Sequence, residues 1–182
     1  MAAGWLALSL QKQGRGAEAQ ALLSENLERI RKFRISGFTL RSCRTVGAEL
    51  CLAATEQAEA AGKEAALRDA KAACHELRKH AKADVSALVA AYRLQGTCEW
   101  LQGRPKKAEA WRSKSLATAD RLGARYDGAL TDLEVGRRLG DRAVLEKAGA
   151  AFEDIGAAYD LAQAQELLSR TGEKPLAVSH TG

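Results

Sequence analysis

Two prolines in 182 residues leave the chain almost without helix breakers. A proline inside a helix costs about 3 kcal/mol, so a chain this poor in it can run long helices, and a proline-rich linker is excluded. Aromatic residues make up only 5%, too few to interleave with basic residues as a stacking platform for single-stranded nucleic acid. No apolar run approaches the ~20 residues of a membrane-spanning helix, so no membrane partner is expected. The phosphate-loop pattern, the GxSxG elbow and the HExxH zinc pattern are all missing from the sequence, and no enzyme activity is expected. Residues 1–5 lack the basic segment of a secretory leader, which makes the cytoplasm the expected compartment.

The four cysteines include no CxxC pair. Cys43 and Cys51 fall on one expected helix, about 12 Å apart along its axis at 1.5 Å per residue, too far to bridge. Buried, reduced thiols are the expected state of Cys43, Cys51, Cys74 and Cys98.

What the chain does have is alanine and a repeat. Apolar residues reach 46%, and alanine, the best helix former, supplies roughly a fifth of the chain. The net charge of +5 and a pI near 9.1 fit a solvated helical surface rich in arginine and argue only weakly for a nucleic-acid partner. Leu122-Gly123-Ala124-Arg125-Tyr126-Asp127-Gly128-Ala129 returns as Ile155-Gly156-Ala157-Ala158-Tyr159-Asp160-Leu161-Ala162. The offset is about 33 residues, the size of one helix–turn–helix unit, and it predicts a stack of such units.

Taken in order, the pattern predicts about nine helices over 1–172 and a disordered tail over 173–182. The first covers 2–12 and the second 17–33, where Leu22, Leu23, Leu27 and Ile30 form a one-sided stripe. The third and fourth, 38–60 and 63–82, are expected to meet at an Ala61-Gly62 turn. Asp84 and Asp141 are expected N-caps, and Pro105 the first residue of a helix. Gly14, Gly62, Gly103 and Gly140 are the expected corners inside successive helix pairs.

From Tyr92 to Leu122 the chain resembles a tetratricopeptide repeat (TPR). Tyr92, Gly96, Gly103 and Ala108 stand at that family's offsets for a bulky residue, a small residue, a turn glycine and a small packing residue. Trp111 sits one position before the family's second ring, and Leu122-Gly123-Ala124 replaces its closing proline. The Leu-Gly-Ala ending and the run from Ile155 to Ala164 are similar to the degenerate repeats of large bacterial signalling proteins. In those, a cyclase, kinase or transcription-regulator module is joined to an ATPase module and a helical arm. The resemblance covers about 85–170 well and 1–84 weakly. It implies an all-α fold, a right-handed superhelix of antiparallel helix pairs (a TPR-like α-solenoid), and a non-catalytic scaffold for protein or peptide partners in signal transduction.

Several residues stand out as site candidates. By analogy with TPR arms, whose first helices line the concave face, Arg41, Arg44, Arg93 and Gln95 are the expected partner-binding residues. Arg29, Arg31, Lys32 and Arg34, with Arg41 and Arg44, form a basic patch at the junction of helices 2 and 3. Such a patch could hold an anionic ligand or nucleic acid, or sit as a solvated helix end whose dipole favours cations. Glu76 and His80 are four apart, but His75 points about 140° away from His80 at 100° per residue, so no zinc clip forms. No metal and no cofactor are expected. Asp127 and Asp160 recur with the repeat and are expected to serve structure, in the first turns of their helices. A third reading is a structural segment that associates with its own copies through the apolar first helix, as a homo-oligomer.

Overall fold

A computed structural model of the chain describes residues 3–35 and 37–172, so the expected 173–182 tail lies outside the described residues. Among those residues the regular structure is helical: α1 (Ala3–Lys12), α2 (Gly16–Lys32), α3 (Phe38–Gln57), α4 (Ala60–Ala81), α5 (Leu88–Leu101), α6 (Pro105–Leu122), α7 (Arg125–Leu139), α8 (Arg142–Asp154) and α9 (Ala158–Gly172). A single 3-10 turn, Val85–Ala87, leads into α5. None of these helices is long and apolar enough to cross a membrane.

Most of the helix ends share one backbone device, a left-handed closing residue. At Gly103 the chain turns left-handed (φ 70°), the Gly103 amide donates to the Trp100 carbonyl, and the next amide, of Arg104, donates to Glu99. This closes the last carbonyls of α5, and glycine suits it because it has no Cβ to clash with the following carbonyl. The ends of α1, α6, α7 and α8 turn the same way at Gly14, Gly123, Gly140 and Gly156. α2 closes with the same pair of bonds, Arg34 to Arg31 and Ile35 to Ile30. There, however, the left-handed residue is Arg34 (φ 51°), the one non-glycine in that region among the described residues.

The α3–α4 corner differs from the sequence expectation. It lies at Ala58-Glu59, both extended (φ −68° and −65°), and Gly62 is inside the first turn of α4, where its amide donates to the Glu59 carbonyl. Two extended residues reverse the chain without positive φ, so no glycine is required and the glycine nearby misled. The caps are as the side chains dictate: Asp84 accepts from the Ser86 amide and Asp141 from the Val144 amide, and Pro105 opens α6. Leu122, expected inside, is exposed.

Consecutive helices pack on one another as in a helical repeat, α1 on α2, α3 on α4, α7 on α8 and α8 on α9. The described residues form two compact units, divided between Ser115 and Leu116. In the first unit α3 is central, touching α1, α2, α4 and α5. Cys43, Val46 and Leu50 join the core shared with α1 and α2. Ala48 and Leu52 join the core built with α4 and α5. At about 1.5–3 kcal/mol for each large aliphatic side chain buried, these two faces hold the unit together. Farther along, Gly96 lets α5 approach α6: a Cβ there would lie 3.2 Å from both the Ala108 carbonyl oxygen and Arg112 Cγ. Ala108 is fully buried, and the Tyr92 and Trp111 rings meet at 5.5 Å. The second unit has its own core, centred on Leu145 and Phe152.

Candidate functional site

α2 and α4 both pack on α3 and leave a cleft of about 490 Å³ above it. Leu40, Cys43, Gly47 and Ala48 of α3 form its floor. Leu27, Ile30 and Arg31 of α2, with Arg34 and Ile35 just past that helix, make one wall; Ala72, Ala73 and Glu76 of α4 make the other. The small residues of the lining, Gly47 and Ala48 of α3 and Ala72 and Ala73 of α4, leave space opposite the larger side chains of α2. The volume falls within the several hundred Å³ typical of ligand sites, and the lining, apolar with a few convergent charges, is what such sites use.

The basic residues singled out in the sequence meet different fates. Arg29 pairs with Glu25 on its own helix (2.8 Å), both well exposed, which adds little to stability. Lys32 lies over the Phe33 ring, 5.6 Å from its centre. Arg41 reaches Asp84 at 3.5 Å and donates to the Ser86 hydroxyl, tying α3 to the segment between α4 and α5. Arg44 lines the cleft and is also a tie, donating to the Glu76 carbonyl at 3.1 Å with the Glu76 carboxylate 3.8 Å away. Arg31 and Arg34 line the cleft too, and neither has an ion-pair partner among the described residues.

Arg93 and Gln95 are placed elsewhere. Arg93 holds Glu49 at 2.7 Å with its side chain only 11% exposed, a link from α5 to α3. Gln95 is buried and donates to Glu99 at 2.9 Å. Of the four residues expected to bind a partner, Arg44 is the one that lines this cleft.

Three exposed hydrophobic residues escaped the sequence reading. Phe33 (66% exposed) and Ile35 (41%) on the α2–α3 connection and Phe38 (46%) at the start of α3 stand within six residues. Large apolar side chains gathered on a surface mark an interaction site far more often than single ones do. The available signal was their spacing: they flank a helix break, where neither stripe continues.

His80 and Asp84 sit beside the cleft's ties. The His80 ring is 3.6 Å from the Asp84 carboxylate. Burial, then Arg44, holds its pKa below the ordinary histidine value, against the pull of Asp84. The hydrogen bond from Ser86, with help from Arg41, holds Asp84 below the ordinary carboxylate value. Among the described residues no three His, Cys, Asp or Glu side chains gather closely enough to hold a metal ion. Cys43, in the cleft floor, is buried and its thiol is pushed up by that burial. A thiol in that state is a packing group and a poor nucleophile. The chemistry the cleft offers is therefore apolar contact plus cationic hydrogen-bond donors.

In the second unit Asp127 and Asp160 occupy the first turns of α7 and α9. Asp160 is buried, 7% exposed, and accepts from the Tyr126 hydroxyl. Searches with this chain against protein-family models, curated proteins and solved structures found no match.

Proposed function

We propose that the chain is a non-catalytic scaffold that binds a protein or peptide partner, and that the α2–α3–α4 cleft is where it does so. The observation that carries this reading is the cleft itself: an apolar floor between two helices, with Arg31 and Arg34 at its edge and exposed Phe33, Ile35 and Phe38 beside it. A groove between helices is a recurring seat for an amphipathic segment. The finer reading is a TPR-like, right-handed superhelix serving as the regulatory arm of a bacterial signalling protein. It is supported by the ring contact of Tyr92, the close approach at Gly96, the burial of Ala108 and the left-handed turn at Gly103, the jobs their spacing suggests. Cytoplasmic placement belongs to the same proposal.

The basic junction also supports a second reading, an anionic ligand or nucleic acid. The paired states of Arg29, Arg41 and Arg44 leave fewer cations for it than the sequence offers, and no ring lines the cleft itself, so Phe33 and Phe38 are the rings this junction offers a base. Self-association through the apolar first helix is the remaining alternative; Ala7, Leu8 and Leu10 of that helix pack in the core with α2 and α3, which leaves Leu6 exposed for it.

Ala72→Trp tests the scaffold reading. Ala72 is exposed on the cleft wall, so the indole fills the cleft without disturbing either core. Partners captured by the wild-type chain and identified by mass spectrometry are expected to be lost with Ala72→Trp and kept with Glu153→Gln, a change at an exposed position of the other unit. Capture unaffected by Ala72→Trp would overturn the assignment of this cleft. Sedimentation of the purified chain over a range of concentrations separates self-association from both.

A further inference from the structure

Resting on that scaffold reading, we infer that the occupant of the cleft is an acidic amphipathic protein segment, and that Arg34 selects it. Two independent observations converge on Arg34. One is electrostatic. The cleft lining holds three arginines and one carboxylate, and that carboxylate, Glu76, is already engaged by Arg44. Arg31 and Arg34 are then left without an acidic partner among the described residues. An arginine at the edge of an apolar cavity favours a carboxylate over a neutral group because its planar fork donates two parallel hydrogen bonds.

The other observation is conformational. The left-handed closing position is glycine at the ends of α1, α5, α6, α7 and α8, and arginine at the end of α2. Glycine is the residue this turn favours, so a long cation there works against the local backbone preference. The same residue lines the cleft. A strained backbone position coinciding with a binding surface points to a role for the side chain that the turn itself does not need.

The shape of the surface sets the class of ligand. Phe33, Ile35 and Phe38 are exposed and near in sequence, and Ile35 also lines the cleft, so apolar side chains outside the cavity stand within a few residues of its lining. A small amphiphilic anion would fill the cavity and leave Phe33 and Phe38 in water. A peptide segment with leucine-like residues on one face and Asp or Glu on its edges covers both. The salt dependence of such a complex reports its carboxylate–arginine pairs.

The test is a displayed library of random 16-residue peptides selected on the immobilised chain, followed by fluorescence anisotropy with the enriched sequences. Wild type is expected to enrich peptides that combine apolar residues at helical spacing with several Asp or Glu. Those peptides should bind at least tenfold more weakly to Arg34→Gly and to Arg31→Ala, and more weakly again at high salt. Both variants should melt no lower than wild type, which separates lost contacts from lost folding. Enrichment of neutral or basic peptides that Ala72→Trp still blocks would overturn the acidic assignment and leave the scaffold reading standing. No peptide enriched in a cleft-dependent way would overturn both. Displacement of enriched peptides by a medium-chain fatty acid at lower concentration than by fresh peptide would move the ligand to the small-molecule class. Binding confined to phosphatidylserine vesicles or to an oligonucleotide would likewise overturn the inference.

Discussion

The Tyr126 hydroxyl donates to Asp160 Oδ2 across 3.0 Å, joining the tyrosine of the first copy of the repeat to the aspartate of the second. The period read in the sequence is thus also a contact: α7 and α9 pack on α8 and meet through this bond. Asp160 stands in the first turn of α9, where the helix dipole already favours its charge. Its near-complete burial makes the tyrosine donor valuable. Tyr126→Phe is expected to cost about 1–2 kcal/mol, the cost of removing a donor from a buried charged acceptor. Urea unfolding with an unchanged slope would measure it.

Gly136 and Gly62 predict opposite signs for one substitution. A Cβ on Gly136 would lie 2.6 Å from Leu145 Cγ and 3.1 Å from the Leu145 amide nitrogen, so α7 and α8 must separate. Gly136→Ala should lose about 1–3 kcal/mol, as overpacked cores do. Around Gly62 a Cβ would meet nothing within 4 Å, and the residue is helical. Gly62→Ala should gain about 0.5–1 kcal/mol. Thermal melts of the two variants check both signs.

Arg34→Gly removes a left-handed strain of about 1–2 kcal/mol and adds back roughly 0.5–1 kcal/mol of chain entropy. Melting at or above the wild-type temperature is expected. A lower one would mean that the Arg34 side chain supports the fold.

Acid should weaken the first unit in two stages. His80 titrates lower in the fold than in the unfolded chain, so below about pH 6.5 the unfolded chain binds more protons and stability falls as pH falls. Asp84 is also held low. Its contribution is complete above its ordinary value of 3.8 and disappears as pH falls through the lowered one. Denaturant midpoints from pH 7.5 to 3 should show both limbs, and His80→Gln should flatten only the upper one.

Thiol reactivity should follow burial. Contact with the Cys98 thiol, then burial, raises Cys74; burial raises Cys43 and Cys51. An aromatic disulfide reagent at pH 8 is expected to leave Cys43, Cys74 and Cys98 unlabelled in the native protein and to titrate all four in denaturant. Of the four, Cys51, which is partly exposed, should react first.

Much of the helical framework was legible because it is local. Asp84, Asp141 and Pro105 announce helix starts through their own hydrogen bonds or missing amide, and a glycine after a stripe announces a left-handed end. Gly62 failed because an extended corner at Ala58-Glu59 leaves no residue-type signature, while a nearby glycine does. The end of α2 was expected at 33 and lies at Lys32, but the left-handed turn that Arg34 makes there was not legible, because a rule based on glycine does not point to an arginine. The basic patch was visible as a run of charges, but which cations are tied and which face open space depends on residues far along the chain. Arg41 is held by Asp84 and Arg44 by Glu76.

The sequence by itself determined that the chain is helical and where most helices begin and stop, because propensity, capping and stripe spacing act within a few residues. The tertiary structure alone decided that α3 carries two cores, that α2 and α4 stand apart above it, and that Arg31 and Arg34 edge the resulting cleft. A cleft is the space left between helices that touch a common neighbour, and its size depends on how closely distant small residues such as Gly47, Ala48 and Ala73 let those helices approach.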